Sequence, residues 1–263
     1  MRAWSGSLLL VLLLGCGAGK KPTLEETIPD YDYRAALQNY KIGINYLNNQ
    51  EVHKAIVHLR EAANGDPNNF RYYQTLGLAF SMNGQLDLAE EALAKALAIN
   101  PKDSESRNLM GSILVEQGRY DDAVAELREV IKDSTYNQPQ FPFFNLGICY
   151  RKQGRRSEAI AAFSRAVQLD PKFYRAYVAL GEIYKEQKDF EKALEYYLKA
   201  EPGFNNEIAI LFEIGMALFR LKRYDEAKSY LAQVSILFPQ PSIDKPTQEM
   251  LRYIEKLQSK TLN

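Results

Sequence analysis

The chain has 263 residues, with 33 lysines plus arginines and 33 aspartates plus glutamates, so its formal net charge is zero. This balance gives no global reason to expect nucleic acid or an anionic membrane surface as a partner, because both attract clusters of positive charge. The length is sufficient for one structural unit without a second domain.

The N-terminus has the pattern of a secretory signal peptide. Arg2 supplies a positive charge, residues 8–14 are all apolar, and a small residue and then Cys16 follow. This apolar run is too short to span a bilayer, which takes about 20 residues in a helix. We therefore expect residues 1–15 to be removed. Residues 13–16 resemble the bacterial lipobox, which implies cleavage before Cys16 and its acylation. The alternative is an ordinary signal peptide with an incidental cysteine.

Residues 16–35 form a predicted flexible tether, since they contain two prolines and mixed charges without a helical period. A coil of this kind reaches about 20–25 Å on average. Several acyl chains on Cys16 would give a stable membrane anchor, which a single chain would not. In enteric lipoproteins Asp at the next position is an inner-membrane signal, so Gly17 favours the outer membrane.

A unit of about 34 residues then recurs six times. In residues 70–103, apolar residues recur at helical spacing in two segments, with Asn-Gly at 83–84 between them and Pro101 at the end. We interpret Asp87 as the N-cap of the second helix and Glu90 as the partner that completes a capping box. The predicted repeats are residues 36–69, 70–103, 104–139, 140–173, 174–207 and 208–241.

Small residues mark each unit. A glycine recurs at steps of 34, 34, 36, 34 and 34 residues, and an alanine follows each glycine by twelve residues. Two helices approach closely only where no bulky side chain intervenes, so these positions predict helix crossings. The markers are Gly43, Gly77, Gly111, Gly147, Gly181 and Gly215, with Ala55, Ala89, Ala123, Ala159, Ala193 and Ala227.

This pattern resembles the tetratricopeptide repeat. The resemblance implies an all-α fold, a right-handed superhelical solenoid of six repeats. Residues 242–263 are a predicted capping helix and tail, with Pro246 in the first turn and an apolar stripe that includes Met250 and Ile254. The third repeat is irregular: it holds two extra residues, and a longer loop is predicted within residues 131–144.

The sequence contains no motif for nucleotide, metal or covalent catalysis. His53 and His58 are five residues apart and do not share a helix face. Cys149 occupies a slot that is apolar in repeats two, three, five and six. Without Cys16, Cys149 is the sole thiol, so no intramolecular disulfide is possible. We predict no enzyme activity, no cofactor, no metal site and no small-molecule substrate.

In tetratricopeptide proteins the second, fifth, ninth and twelfth positions of each unit face a concave groove. Exposed apolar side chains there indicate a protein-binding surface; contact with neighbouring helices or with the tether is the alternative. The predicted apolar groove residues are Leu37, Tyr40, Ile44, Leu47, Leu78, Phe141, Phe144, Ile148, Phe212, Met216 and Phe219. The other groove positions of repeats three to five are Glu105, Asn108, Ser112, Val115, Arg151, Arg175, Val178, Glu182 and Lys185.

The combination of lipobox, tether, six repeats and final helix resembles the type IV pilus biogenesis and stability lipoproteins, which include the pilotins. The local match is sharpest at residues 133–154, with Tyr-x-Gln-Pro before Asn145, Gly147 and Cys149. The resemblance implies a lipid-anchored adaptor on the periplasmic face of the outer membrane. It would bind a secretin subunit through the N-terminal repeats, assist its localisation and oligomerisation, and bind no nucleic acid. The alternative is a scaffold for outer-membrane protein assembly or for cell-wall enzymes.

Overall fold

A computed structural model describes residues 32–204, 207–237 and 241–261. The predicted signal peptide, the lipidation site Cys16 and the tether as far as residue 31 lie outside the described residues. Within them the secondary structure is helical, which confirms the predicted all-α class. The α-helices are α1 (Tyr33–Asn48), α2 (Val52–Gly65), α3 (Phe70–Met82), α4 (Leu86–Ile99), α5 (Ser104–Glu116), α6 (Tyr120–Val130), α7 (Gln140–Lys152), α8 (Arg156–Leu169), α9 (Tyr174–Glu186), α10 (Phe190–Ala200), α11 (Ile208–Arg220), α12 (Tyr224–Leu237) and α13 (Pro241–Thr261).

The helices pair in chain order. Each odd-numbered helix from α1 to α11 packs against the helix that follows it, and each second helix packs against the first helix of the next pair. Contacts are therefore made chiefly between neighbours along the chain, which is the arrangement of a solenoid. A single pair leaves an apolar face open, and stacking buries these faces. The buried apolar side chains form two clusters in succession, one from Ala36 to Ile183 and one from Ala193 to Ile254.

The two helices of each pair cross at a marker glycine. A Cβ atom built on Gly77 would lie 2.7 Å from Cγ of Leu93, and one built on Gly147 would lie 2.6 Å from ring carbons of Phe163. A larger residue would therefore force the helices apart. The six marker alanines are fully buried in the second helices. The glycines face, in chain order, Leu59, Leu93, Leu127, Phe163, Tyr197 and Leu231, each sixteen residues later.

The tight turn inside each pair contains one residue in the left-handed conformation. In repeats two to four this residue is glycine, as at Gly84 with φ of 72°, whereas Gln50, Lys188 and Lys222 hold φ of 61° or 62° in repeats one, five and six. Glycine adopts this conformation without the clash that a Cβ atom introduces. The N–H of Gln85 then bonds to a carbonyl of α3 at 2.9 Å and closes the turn.

Two expectations about helix starts are wrong. The N-cap of α4 is Gln85, so Asp87 lies inside the first turn, where its carboxylate faces the positive end of the helix instead of capping it. The left-handed turn closes directly onto Gln85 and leaves no residue between the turn and the helix. Likewise α13 begins at Pro241, whose fixed φ suits the first helical position, and Pro246 lies within the helix.

The third repeat ends in the longest inter-helix connection among the described residues, 131–139, whereas 100–103 suffice between α4 and α5. The hydroxyl of Tyr136 donates to Glu105 at 2.9 Å and holds this loop against α5. Arg107, which occupies a slot that is aromatic in neighbouring repeats, pairs with a glutamate of α6 at 2.7 Å. The irregular repeat is thus held by polar contacts where its neighbours use apolar ones.

Helix α13 packs on α12 at the C-terminal end of the solenoid. Ile254 is fully buried, and Met250 and Leu251 pack against the same cluster. This is the packing that the sequence predicts for a capping helix.

Candidate protein-binding groove

The first helices of repeats three, four and five line two adjoining open clefts, of about 400 Å³ and about 720 Å³. They share Phe144, Ile148 and Arg175 and therefore form one continuous surface. The 3–4 cleft is lined by Glu105, Asn108, Leu109, Ser112, Val115, Glu116, Gln138, Phe141, Phe144, Asn145, Ile148, Phe173 and Arg175. The 4–5 cleft is lined by Phe144, Ile148, Arg151, Lys152, Phe163, Arg175, Val178, Ala179, Glu182, Glu186 and Phe204. Of the groove positions assigned to these three repeats, Lys185 alone lies outside both clefts.

The floor of the clefts is aromatic. The ring of Phe173 lies edge-on to Phe141 at 5.3 Å and to Phe144 at 5.1 Å between centroids, and Phe144 lies 5.4 Å from Phe163. Edge-to-face pairs at these separations are favourable. Phe141 and Phe144 are half-buried, and their remaining surface faces the clefts. The rings of the floor therefore pack on one another and still present apolar area to a partner.

Charged side chains form the walls of the 4–5 cleft. Arg151 of α7 pairs with Glu182 and, at 2.5 Å, with Glu186 of α9, so a single cation serves two acids. The guanidinium of Arg175 lies 5.7 Å from the centroid of the Phe144 ring. No described carboxylate lies within ion-pair distance of Arg175. The wall therefore holds one ion-pair cluster, in which two carboxylates share one guanidinium, and a separate cation, Arg175, that lies over an aromatic ring.

The groove residues predicted in repeats one and two lie outside both clefts. Leu37 is 46% exposed, and Leu78 is also exposed. Tyr40 packs its ring against Tyr72 at 4.7 Å between centroids, and its hydroxyl lies 3.2 Å from Oγ1 of Thr75. Much of the surface of Tyr40 is therefore buried against the next repeat. Ile44 and Leu47 are half-buried in α1.

The groove residues predicted in repeat six are divided between packing and exposure. Phe219 lies 5.9 Å from the ring of Tyr224 and 6.0 Å from that of Tyr253, so the capping helix contributes to its surroundings. Phe212 is half-buried against the C-terminal cluster. Met216 lines a separate cleft together with Lys185. The structure thus places the predicted groove residues in three regions and not in one uniform apolar stripe.

The position rule missed ten cleft residues, five in each cleft. They are Leu109, Glu116, Gln138, Asn145 and Phe173 in the 3–4 cleft and Lys152, Phe163, Ala179, Glu186 and Phe204 in the 4–5 cleft. Phe163 belongs to a second helix, Phe204 follows the 3₁₀ turn Glu201–Gly203, and Lys152 is one position beyond the predicted set. Phe163 could have been noticed, because it is aromatic where three earlier repeats carry leucine. No repeat signature extends to Phe204, so sequence periodicity could not place it.

Asn108 is the most unusual polar residue of the 3–4 cleft. Its side chain is 7% exposed, and its Oδ1 has no hydrogen-bond partner among the described residues. A buried acceptor without a partner is unfavourable for folding. Most buried polar atoms in proteins have a hydrogen-bond partner, so Asn108 is an exception in this cleft.

The described residues contain no cluster of acidic, histidine or cysteine side chains suited to a metal ion. Cys149 is fully buried, and burial raises the pKa of its thiol to about 11. A thiol with so high a pKa is almost entirely protonated at neutral pH and is a poor nucleophile. His58 lies 2.9 Å from Oδ1 of Asn39 and stacks on Tyr46, so it serves the packing of the first repeat.

Paired helices that cross at glycine, stacked so that the first helices line a groove, define a repeat scaffold. The chain belongs to the tetratricopeptide-repeat proteins: models of the tetratricopeptide repeat match residues 46–113 and 81–135, residues 144–208 and residues 209–241. Proteins of this class bind other proteins and are generally non-enzymatic scaffolds.

Within this class the chain is related, at modest identity, to the type IV pilus assembly protein PilF of Pseudomonas aeruginosa. The two are 28% identical over 235 residues, which cover 88% of this chain and 92% of PilF. A solved Pseudomonas aeruginosa PilF structure matches with a TM-score of 0.72 at 24% identity, over 82% of this chain and 98% of that one. The crystal structure of PilW, described as a widely conserved type IV pilus biogenesis factor, matches with a TM-score of 0.74 at 23% identity, over 81% and 98%. These structures share the fold.

No described helix is both long and apolar enough to cross a membrane.

Proposed function

We propose that this protein is a non-enzymatic adaptor of type IV pilus biogenesis, a lipoprotein whose repeats hold a secretin subunit during assembly at the outer membrane. The observation that carries the proposal is the relationship to PilF, a type IV pilus assembly protein, over nearly the whole of both chains. Many tetratricopeptide proteins share isolated repeats, whereas this match extends over 88% of this chain and 92% of PilF.

The groove supports the proposal because it has the features of a polypeptide-binding surface. Leu37 and Leu78 expose apolar area on first helices, and the central clefts add an aromatic floor with charged walls. An amphipathic helix or an extended segment would gain affinity from burial of its apolar side chains and register from the polar rim. Nothing in this arrangement requires a cofactor.

Location is proposed to come from Cys16. Several acyl chains on one residue give stable membrane anchoring. Cys16→Ala should abolish incorporation of labelled palmitate and move the protein from the membrane fraction to the soluble fraction. Membrane retention of the unlabelled variant would contradict the lipid anchor.

The binding role is tested by Leu37→Glu in cells that assemble the pilus. Because Leu37 is exposed, the change leaves the fold intact, while a charge in an apolar contact should reduce secretin multimers in outer-membrane fractions about tenfold or more. Val57→Glu is the matched control, since Val57 is 59% exposed but lies on the second helix α2. Equal multimer levels in the two variants would refute a role for the N-terminal groove.

The identity of the partner is tested by cross-linking and capture from detergent-solubilised membranes. We expect the secretin to be recovered with the wild-type chain and to be depleted with Leu37→Glu. Recovery of barrel-assembly proteins or cell-wall enzymes without secretin would instead support the scaffold alternative.

A further inference from the structure

We propose that the 4–5 cleft is a second binding site, which takes a polypeptide segment with an apolar side chain next to an internal aspartate or glutamate. The proposal deepens the protein-binding role proposed above and rests on it. It concerns repeats four and five, whereas the secretin proposal is tested at Leu37 in repeat one.

The apolar half of the site is already built. Phe144, Ile148 and Val178 are half-buried on adjacent first helices, and Phe204 closes the cleft from the loop after α10. The volume of about 720 Å³ accommodates one large side chain together with its flanking backbone. An apolar side chain that enters the cleft would exchange water for contact with these residues.

The charges of the wall select an acid. Arg151, Lys152 and Arg175 face Glu182 and Glu186, and Arg151 already pairs with both glutamates. No ion pair among the described residues involves Lys152 or Arg175. A carboxylate from the bound segment would complete this set, and a lysine or arginine there would meet like charge.

Arg175 is positioned to bind that carboxylate next to the apolar floor of the cleft. Its guanidinium lies 5.7 Å from the centroid of the Phe144 ring, within the range of a cation–π contact. The contact orients the planar fork, which suits paired hydrogen bonds to a carboxylate. An extended chain advances about 3.3–3.6 Å per residue. The acid should therefore lie within about two residues of the apolar anchor.

Arg71 provides a matched control. It occupies the same second position of the first helix, in repeat two, and its guanidinium also lies over a phenylalanine ring, that of Phe70, at 5.8 Å. Arg71 lines neither the 3–4 nor the 4–5 cleft. Loss of its charge should leave the proposed site unaffected, although the local environment of the two arginines is similar.

The test is a selection of short random peptides, displayed without a free C-terminus, on the purified full chain and on the Arg175→Gln and Arg71→Gln variants. The wild type and Arg71→Gln should enrich peptides with an acid within two residues of an aromatic or aliphatic residue. Arg175→Gln should lose the preference for the acid. No enrichment, or an enrichment without acids, would overturn the proposal.

A direct measurement follows with the best selected peptide, labelled for fluorescence anisotropy, and its Asp→Asn or Glu→Gln counterpart. Arg175→Gln should weaken binding of the acidic peptide about tenfold and leave binding of the amide peptide nearly unchanged. Equal weakening of both peptides would overturn the assignment of the carboxylate to Arg175. Circular dichroism verifies the fold, and since Leu37→Glu should leave this peptide's affinity intact, failure here is distinguishable from failure of the secretin proposal.

Discussion

The inner faces of the N-terminal and central repeats use the same helix positions but present different chemistry. In repeats one and two, Leu37 and Leu78 are exposed apolar side chains without a surrounding ion-pair cluster. In repeats four and five, equivalent positions hold Ile148, Arg175 and Glu182, which line a cleft. The glycine and alanine positions are unchanged between these regions. The scaffold is thus fixed by one set of positions, and the binding chemistry varies independently on another.

The two regions also differ beneath the inner face. Repeats one to three place leucine opposite the marker glycine, whereas repeats four and five place Phe163 and Tyr197 there. The ring of Phe163 extends far enough to line the 4–5 cleft. Phe163 is fully buried, so in the central region the packing residue supports the cleft floor through its contact with Phe144 and adds no exposed surface of its own.

The largest effect should come from enlarging a marker glycine. Gly147→Val places its side chain against the rigid ring of Phe163 and should reduce the free energy of unfolding by about 3 kcal/mol, against about 2 kcal/mol for Gly77→Val, where Leu93 adjusts more readily. Urea unfolding followed by helical circular dichroism measures both. A broadened transition is expected for Gly147→Val alone, because a weakened central repeat separates the two halves of the solenoid. Equal losses of unfolding free energy in the two variants would show that the Phe163 ring and the Leu93 side chain move aside equally easily.

A smaller effect is expected from Arg151→Ala. It leaves Glu182 and Glu186 adjacent on α9 without their shared cation, and like charges four residues apart repel. We expect a loss of about 1 kcal/mol in unfolding free energy, which shrinks in high salt because the pair is partly exposed. Leu37→Ala, the N-terminal counterpart, should change stability by less than about 0.5 kcal/mol. A loss that does not respond to salt would point to lost packing in place of charge.

Asn108→Leu should increase the stability of the chain, whereas the preceding substitutions reduce it. The variant removes a buried oxygen that lacks a partner and should raise the unfolding free energy by about 1 kcal/mol. Thermal and urea unfolding provide the measurement, with Asn145→Leu in the same cleft as the comparison. Destabilisation by Asn108→Leu would show that water satisfies the oxygen in solution.

The smallest effect concerns the turns. Lys188 holds a left-handed φ of 62°, where repeat four has Gly154. Lys188→Gly removes the Cβ clash and should stabilise the chain by about 0.5 kcal/mol, the excess of that clash over the greater flexibility of glycine. Gly154→Ala should lose a similar amount. Calorimetric melting temperatures compare the two, and a lower melting temperature for Lys188→Gly would contradict the argument.

The scaffold could be predicted from the sequence because its constraint is local and repeated. Close helix crossings admit only small residues, so Gly77 and Ala89 recur visibly at a constant period. The inner-face residues of repeats three to five could be assigned for the same reason, since their positions follow the helical register. Periodicity did not reveal that Tyr40 packs on Tyr72, because the loss of its exposed surface depends on which side chain the next repeat supplies.

The remaining features lie outside the repeat register. Phe204 follows an irregular turn, and its place in the 4–5 cleft depends on the path of that turn and not on a period. The start of α4 depends on how the left-handed turn closes onto Gln85, and the general preference for aspartate at N-caps pointed instead to Asp87. The residue preferences of helix N-caps thus predicted helix α4 correctly but misplaced its first residue.

Each marker glycine packs against the bulky side chain sixteen residues later, and both residues belong to the same repeat. This contact acts as a lock between the two helices. During evolution both members of the lock are inherited together whenever a repeat is duplicated, deleted or exchanged, and the adjoining repeats need no compensating change at that crossing. Arrays of different length can therefore descend from one ancestral unit. Substitution at one member, by contrast, selects for a matching change at the other, so these two columns should covary more strongly than any pair of groove positions.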